Sequence, residues 1–353
     1  MARDFHDDLF SDSASGHRAA RPRRRRGRKI LLGLLVLFLV ILIGVVTAIF
    51  LYIASLSRSY DNNVTSVPSA SAFPDGQRPQ DTDSTTILLL GSDKRPEGGG
   101  ELGRDGERAD SIMLLNIPAD GNEVYVMSVM RDTWVDIPGF GEGKLNSAYQ
   151  NGGMPLMVET LEGLFGTHID QVASVDFAGF EGMTDALGGV TVNVPQSFTT
   201  NEGLEFTAGP TEMNGATALA FVRERYAFAD SDYSRVANQR AYIRALMDRF
   251  LDPSTLTNPG KISDTVETIS PYLTVSEGLD SAYIRGIVPQ LVGTRHSDIR
   301  MFTIPTNGIG TSSDGQSIVL PDEQAMRKAG EAINNGTLDD YYAENHTNDG
   351  SGL

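Results

Sequence analysis

Apolar positions fall into three patterns along this chain. The first is an unbroken run, ILLGLLVLFLVILIGVVTAIFLYIA (30–54), of 25 residues without a charge. As a helix rising about 1.5 Å per residue it reaches about 37 Å, enough to cross a hydrocarbon core of about 30 Å with some tilt. The second pattern is a set of short β-rich runs: TILLLG, SIMLLNI, EVYVMSVM, VASVDF, VTVNV and IRMFTI. Between and after them come segments whose apolar residues recur at helical spacing: MPLMVETLEGLFG, FAGFEGMTDALGG, NGATALAFV, YSRVANQRAYIRALMDRFL and SAYIRGIVPQLVG. Such alternation predicts one α/β domain with a central mixed sheet flanked by helices, preceded by a single transmembrane helix.

Polar stretches set the expected boundaries. Residues 1–29 read as a basic, disordered cytoplasmic tail, 30–54 as the membrane helix and 55–84, rich in Ser, Pro and Asp, as a stalk. The folded domain is expected over 85–335 and a flexible tail over 336–353. A cleaved signal peptide fits less well, because the apolar run is longer than the usual 7 to 15 or so residues and LYIASLS is a poor cleavage site.

Charge adds an orientation. The 353 residues carry a formal −17, but residues 1–57 hold nine Lys/Arg against four Asp, leaving −22 for the rest. The cluster RPRRRRGRK abuts the apolar run, which by the positive-inside rule places the N-terminus in the cytoplasm and the domain outside. This contact with the span explains the cluster as topology, with no nucleic-acid partner required. The absence of cysteine excludes disulfides, thiolate zinc sites and a cysteine nucleophile.

Most hydrolase signatures are also missing. The histidines His6, His17, His168, His296 and His346 are isolated, and neither G-x-S-x-G nor H-E-x-x-H occurs. GFGEGKLN (139–146) fails as a phosphate loop because Pro138 stands where the first Gly belongs and Leu145 follows the Lys.

What remains is arginine and carboxylate. FVRERYAFADSDYSRVANQR (221–240) carries Arg223, Arg225, Arg235 and Arg240. Arg223 and Arg225 share a side only if that segment is extended, so the preceding helix is expected to end near Phe221. Arg235, Asn238, Gln239 and Tyr242 follow i, i+3, i+4, i+7 on one helix face, beside an apolar stripe of Val236, Ile243, Met247 and Phe250. Converging guanidinium forks suit a diphosphate; the competing reading is ion pairing with Glu224, Asp230 and Asp232. Asp93 follows one predicted strand and Asp110 opens the next, so both are placed on one sheet edge, where two carboxylates and a diphosphate suffice for Mg²⁺. Turn formation or helix capping would explain the same aspartates.

Taken in order, LLLGSDKR, RADSIMLL, MRDTWVDIPGFGEGKLNSAYQNGG, VDFAGFEGMTDALGGVTVNVP, EMNGATALAFVRER and SDYSRVANQ resemble the LytR-CpsA-Psr family over about 86–250. The resemblance implies a membrane-anchored extracytoplasmic phosphotransferase that moves a glycopolymer from a polyprenyl diphosphate carrier to peptidoglycan, in a Gram-positive host. It implies Asp93 and Asp110 as ligands of Mg²⁺, with Mn²⁺ as the alternative ion. Arg108, Arg131, Asp132, Asp232 and Arg235 are implied as catalytic. Arg131, Lys144, Arg223, Arg225, Arg235 and Gln239 are implied as pyrophosphate contacts.

Met130 and Asn238 depart from the family pattern, which commonly has Pro and Arg there; the second change is expected to remove a phosphate contact. The proton acceptor is open between Asp132 and Asp232. A tail-binding channel is expected from among Leu161, Leu164, Phe165, Phe177, Phe180, Met183, Leu187, Leu219 and Phe221, residues that would equally make a plain core. A lipid-diphosphate hydrolase and a noncatalytic lipid-diphosphate-binding regulator remain the alternatives.

Overall fold

The computed structural model describes residues 24–93, 108–228, 232–252, 254, 257–291 and 298–345. The chain divides into two compact units, Met1–Ala54 and Ser55–Leu353. In chain order the elements are α1 (Arg24–Asn63), β1 (Thr65–Val67), α2 (Ser69–Ala72), β2 (Thr85–Ser92), β3 (Ala109–Ile117) and β4 (Val124–Val129). There follow β5 (Trp134–Ile137), β6 (Gly141–Lys144), α3 (Asn146–Phe165), β7 (Gln171–Asp176), α4 (Phe177–Ala186), β8 (Val190–Val194), β9 (Phe198–Thr199), β10 (Glu205–Phe206) and β11 (Gly209–Met213). The chain continues with α5 (Gly215–Arg223), α6 (Asp232–Leu251), α7 (Pro259–Ile269), β12 (Leu273–Ser276), α8 (Ser281–Ile287), β13 (Ile299–Thr303), β14 (Thr306–Thr311), β15 (Ser317–Pro321), α9 (Glu323–Asn335) and α10 (Leu338–Asn345).

Seven strands form one mixed sheet in the order β1-β12-β7-β2-β3-β4-β13. β2 is parallel to β7 and antiparallel to β3, and β4 is parallel to β13. The near-continuous apolar runs of the central strands reflect burial on both faces. Leu88, Leu90, Ile112, Leu114, Tyr125 and Met127 point to a face covered by α3 and α9, where Tyr149, Met157, Leu161, Phe165, Met326 and Ile333 complete the main core. The alternate residues Met113 and Val126 face Ile243 and Met247 of α6.

A second apolar cluster lies beside the sheet. Val190, Val192 and Val194 of β8 pack with Phe206, Leu219, Phe221 and Tyr242. VTVNV is thus a strand, as its alternation predicts, but it pairs with β11 outside the main sheet. α3 is broken at Gly153, whose φ of 65° and ψ of −152° are not helical, and Pro155 follows within the first turn after the break.

α1 is a 40-residue helix, longer than the apolar run, and it includes Arg24–Lys29 of the expected tail; residues 1–23 lie outside the described residues. Ile41–Asn63, whose most apolar 18-residue window has a mean hydropathy of 2.0, is long and apolar enough to cross a membrane.

Two boundaries differ from expectation. The polar stretch 55–84 belongs to the folded unit: Tyr60 donates to the Leu279 carbonyl at 3.0 Å, and Asp61 accepts from the Ser281 amide and hydroxyl at 2.8 and 2.6 Å. β1 pairs with β12, and Arg78 donates to the buried Glu162 at 2.6 and 3.0 Å. Its polar residues answer partners distant in sequence, so composition alone reads them as linker. The expected flexible tail is helical over Leu338–Asn345, with Leu338 and Tyr341 buried, while 346–353 lie outside the described residues. Only a few apolar side chains anchor this helix, too few to stand out from their polar flanks.

Candidate functional site

The sheet edge formed by the C-terminal ends of β2 and β7 opens into a cavity of about 350 Å³. One wall is sheet: Leu89, Leu90, Gly91, Ser111 and Met113. The other is helical: Phe177 and Phe180 from α4, Leu219 and Val222 from α5, and Tyr242 and Ile243 from α6. Polar groups gather along it as Asp93, Arg108, Asp110, Arg131, Asp176, Arg223, Arg225, Arg235 and Gln239. An open α/β sheet places ligands at this kind of edge.

Local structure explains why the aspartates meet there. Gly91 pairs with Ser111 and Ser92 with Ala109, leaving Asp110 as the extra residue of a β-bulge. A bulge re-aims the side chain it carries. At Gly91 any Cβ would come within 3.0 Å of the Ser111 side chain, so the bulge requires glycine or a shift of β3. Asp93 is held across the sheet end, its amide donating to the Arg108 carbonyl at 3.1 Å and its Oδ1 accepting the Arg108 amide at 2.6 Å. Lys94 and Arg95 of the expected motif lie outside the described residues. The Arg108 side chain reaches Gln150 Oε1 at 3.3 Å.

Arg131 sits on the turn after β4, where the Thr133 hydroxyl and amide both donate to the Met130 carbonyl, at 2.6 and 3.1 Å. Its guanidinium pairs with Asp110, and its Nε lies 3.9 Å from both Asp132 and Asp232 with no hydrogen bond among the described residues. Arg235 is 3% exposed. Its Nη2 is ion-paired with Asp232 Oδ1 at 2.6 Å without hydrogen-bonding alignment, while Nε of this buried arginine and Oδ2 of Asp232 have no hydrogen-bond partner among the described residues. Burial pushes the Asp232 carboxyl up, against the pull of Arg235, and pushes the Arg235 guanidinium down.

Arg223 stacks on Phe177 at 4.3 Å, and Arg225 donates to the Tyr226 hydroxyl at 2.7 Å, which raises its own pKa. Not every expected residue reaches the cavity. Asp132, Asp232 and Lys144 stand outside its wall as an ionic network behind it, with Lys144 3.5 Å from Asp132. Of the apolar channel residues, Phe177, Phe180 and Leu219 line the cavity, while Leu161, Phe165 and Phe221 are core. α5 runs on to Arg223, two residues past the expected end, and Arg225 then lies beyond it.

Residues 49–335, about four fifths of the chain, match the model of the LytR_cpsA_psr family. The chain belongs to this family. It is 31% identical over 322 residues to the polyisoprenyl-teichoic acid–peptidoglycan teichoic acid transferase TagU of Oceanobacillus iheyensis, covering 88% of this chain and 95% of that one. It is 28% identical over 279 residues to the cell wall biosynthesis protein LcpA of Corynebacterium glutamicum, covering 68% of this chain and about half, 53%, of the relative's length. The crystal structure of TagV from B. subtilis superposes with a TM-score of 0.61 at 25% identity, over 73% of this chain and 98% of that one.

The two departures from the LytR-CpsA-Psr pattern acquire physical readings. Met130 is buried against Val236 and Val319, filling a small cluster under the Arg131 turn. Asn238 is not in the cavity wall; it is buried and donates to the Phe221 carbonyl at 3.3 Å, tying α6 to α5. Gln239 bonds the Val222 carbonyl at 3.4 Å while lining the cavity.

Ion pairing explains only part of the arginine set. Arg235 does meet Asp232, but Glu224 instead accepts backbone N–H groups, and Asp230 lies outside the described residues. Sequence reasoning missed Tyr226, Asp176 and Gln150, whose signals were an aromatic beside an arginine, a helix cap and the final residue of KLNSAYQ. Asp81, His168 and Asp170 bring ligand atoms within 4.8 Å of one another, but at the opposite end of β2 and β7, where Asp170 accepts the Thr86 amide and His168 faces the Pro79 carbonyl.

Proposed function

We propose that this chain is a membrane-anchored phosphotransferase that moves a glycopolymer from a polyprenyl diphosphate carrier to peptidoglycan, with its N-terminus cytoplasmic and its domain outside. The observation that carries the reading is Arg235, a buried guanidinium that lines a cavity shared with Arg131, Arg223 and Arg225 and whose Nε has no partner among the described residues, its Nη2 meeting only Asp232. Buried donors without partners are costly, and a multivalent anion satisfies them. The aromatic wall of Phe177, Phe180 and Tyr242 suits the carrier's apolar tail. The name of the TagU relative, which specifies a polyisoprenyl carrier and a peptidoglycan acceptor, supports the same reading.

Asp93 and Asp110 offer oxygen donors only, with Ser111 beside them, a set that fits Mg²⁺ or Mn²⁺. Bound there, the ion would neutralise charge on the diphosphate. Arg131 orients Asp110, while Arg225 and Arg235 stabilise the charge that grows on the bridging oxygen as the bond to the leaving phosphate breaks. The acceptor's hydroxyl attacks the sugar-linked phosphorus, a phosphodiester forms, and polyprenyl phosphate leaves. The hydroxyl proton departs on the polyprenyl phosphate, because Asp132 and Asp232 stand outside the cavity wall. Full-length protein in detergent with a short-chain polyprenyl diphosphate glycan should release polyprenyl phosphate only with a divalent ion, and Asp93→Ala should abolish release. Undiminished release by Asp93→Ala, or in chelator, removes the metal from the account.

A further inference from the structure

The turn after α5 is built around one carboxylate. Glu224 Oε1 accepts three successive amides, those of Arg225, Tyr226 and Ala227, at 2.9, 2.6 and 3.0 Å. An anion directly after a helix C-terminus opposes the helix dipole, so this placement is unfavourable unless something offsets it. Three N–H bonds do so, and they lock the turn as a nest around the oxygen. The far side is pinned as well: Phe228 packs edge-on against Phe198 at 4.7 Å.

The locked turn displays an aromatic ring. Tyr226 is 69% exposed, yet it lines the cavity and is fixed by Arg225, which bonds its hydroxyl at 2.7 Å and lies 4.7 Å from its ring centre. The cavity is therefore graded: apolar at half-buried Phe180 and buried Tyr242, cationic at the arginines, and aromatic and open at Tyr226. A donor whose tail and diphosphate occupy the first two zones places its first sugar in the third. A pyranose has an apolar C–H face and polar edges, which match a flat ring with a polar tip and a neighbouring guanidinium.

We propose that Tyr226 is the stacking surface for the donor's first sugar, and that Glu224 is the positioning residue that holds Tyr226 and Arg225 at the cavity rim. The proposal rests on the donor reading above. Its test uses the full chain in detergent micelles and two probes, farnesyl diphosphate bare and farnesyl diphosphate carrying one N-acetylglucosamine, with affinities measured by calorimetry.

The wild type should bind the sugar-bearing probe about tenfold more tightly than Tyr226→Ala does, while the bare probe binds both alike. Tyr226→Phe, which keeps the ring but loses the hydroxyl that Arg225 holds, should fall between wild type and Tyr226→Ala. Glu224→Ala should lose the sugar preference, and Glu224→Gln, which keeps an acceptor oxygen, should retain it. If Glu224→Ala does not fold, the tyrosine pair decides alone. A sugar preference unchanged in Tyr226→Ala overturns the proposal and leaves the donor reading intact. A wild type that binds neither probe overturns both. With soluble peptidoglycan fragments as a third titrant, a loss of affinity in Tyr226→Ala confined to them would move the ring to the acceptor and overturn the donor assignment.

Discussion

At the scale of single residues, Arg235 and Asp232 carry the sharpest consequences. Arg235→Ala removes donors aimed at developing charge and should lower turnover by about 10² to 10³. Arg235→Lys should recover little, because an ammonium cannot span two oxygens as a guanidinium fork does. Steady-state rates of polyprenyl phosphate release check both. Asp232 supplies a pH signature. Its folded-state pKa is raised, so between the ordinary value of about 4 and that raised value the folded chain holds a proton that the unfolded chain has released. Stability from this group is therefore complete at low pH and declines as pH rises through the window. Asp232→Asn should flatten that decline in urea titrations run from about pH 4 upward; an unaltered slope would mean the carboxyl is not held protonated by burial. The arginines were legible in sequence because charge stands out in an acidic chain. Glu224 and Tyr226 were not, because nothing in their spacing reveals a carboxylate turned to its own following amides.

At the scale of elements, the joint between the apolar helix and the sheet is where composition misled. Residues 55–84 look like linker, yet Tyr60, Asp61, β1 and Arg78 all dock. A chain beginning at Asp81 should unfold at a lower temperature than one beginning at Ser55, since it loses a sheet strand and the partner of a buried carboxylate. Within the longer chain, Arg78→Ala leaves Glu162, 3% exposed, without its cation and should cost about 3 kcal/mol by urea denaturation. The six predicted strands exist because their runs are long and apolar. β1 and β12 went unseen because each is four residues or fewer, too short for alternation to register. The bulge at Asp110 was invisible for a related reason, since register belongs to the pair of strands and not to either one.

At the level of the whole molecule, a membrane-compatible helix precedes in sequence a domain whose cavity runs from an aromatic wall through arginines to an open rim. Family membership and the α/β architecture were readable from ordered motifs, while the grading of the cavity emerges only when α4, α5 and α6 are placed against the sheet. Transfer of a glycosyl phosphate to peptidoglycan, as proposed, is checked by mass analysis of the acceptor. Full-length protein, a divalent ion, a polyprenyl diphosphate glycan and peptidoglycan fragments would be incubated, and both products counted. Equal amounts of polyprenyl phosphate and of fragments carrying the glycan through one phosphodiester are the predicted result. Polyprenyl phosphate accompanied by free glycan phosphate, at a rate indifferent to the fragments, would contradict it and show that water is the acceptor.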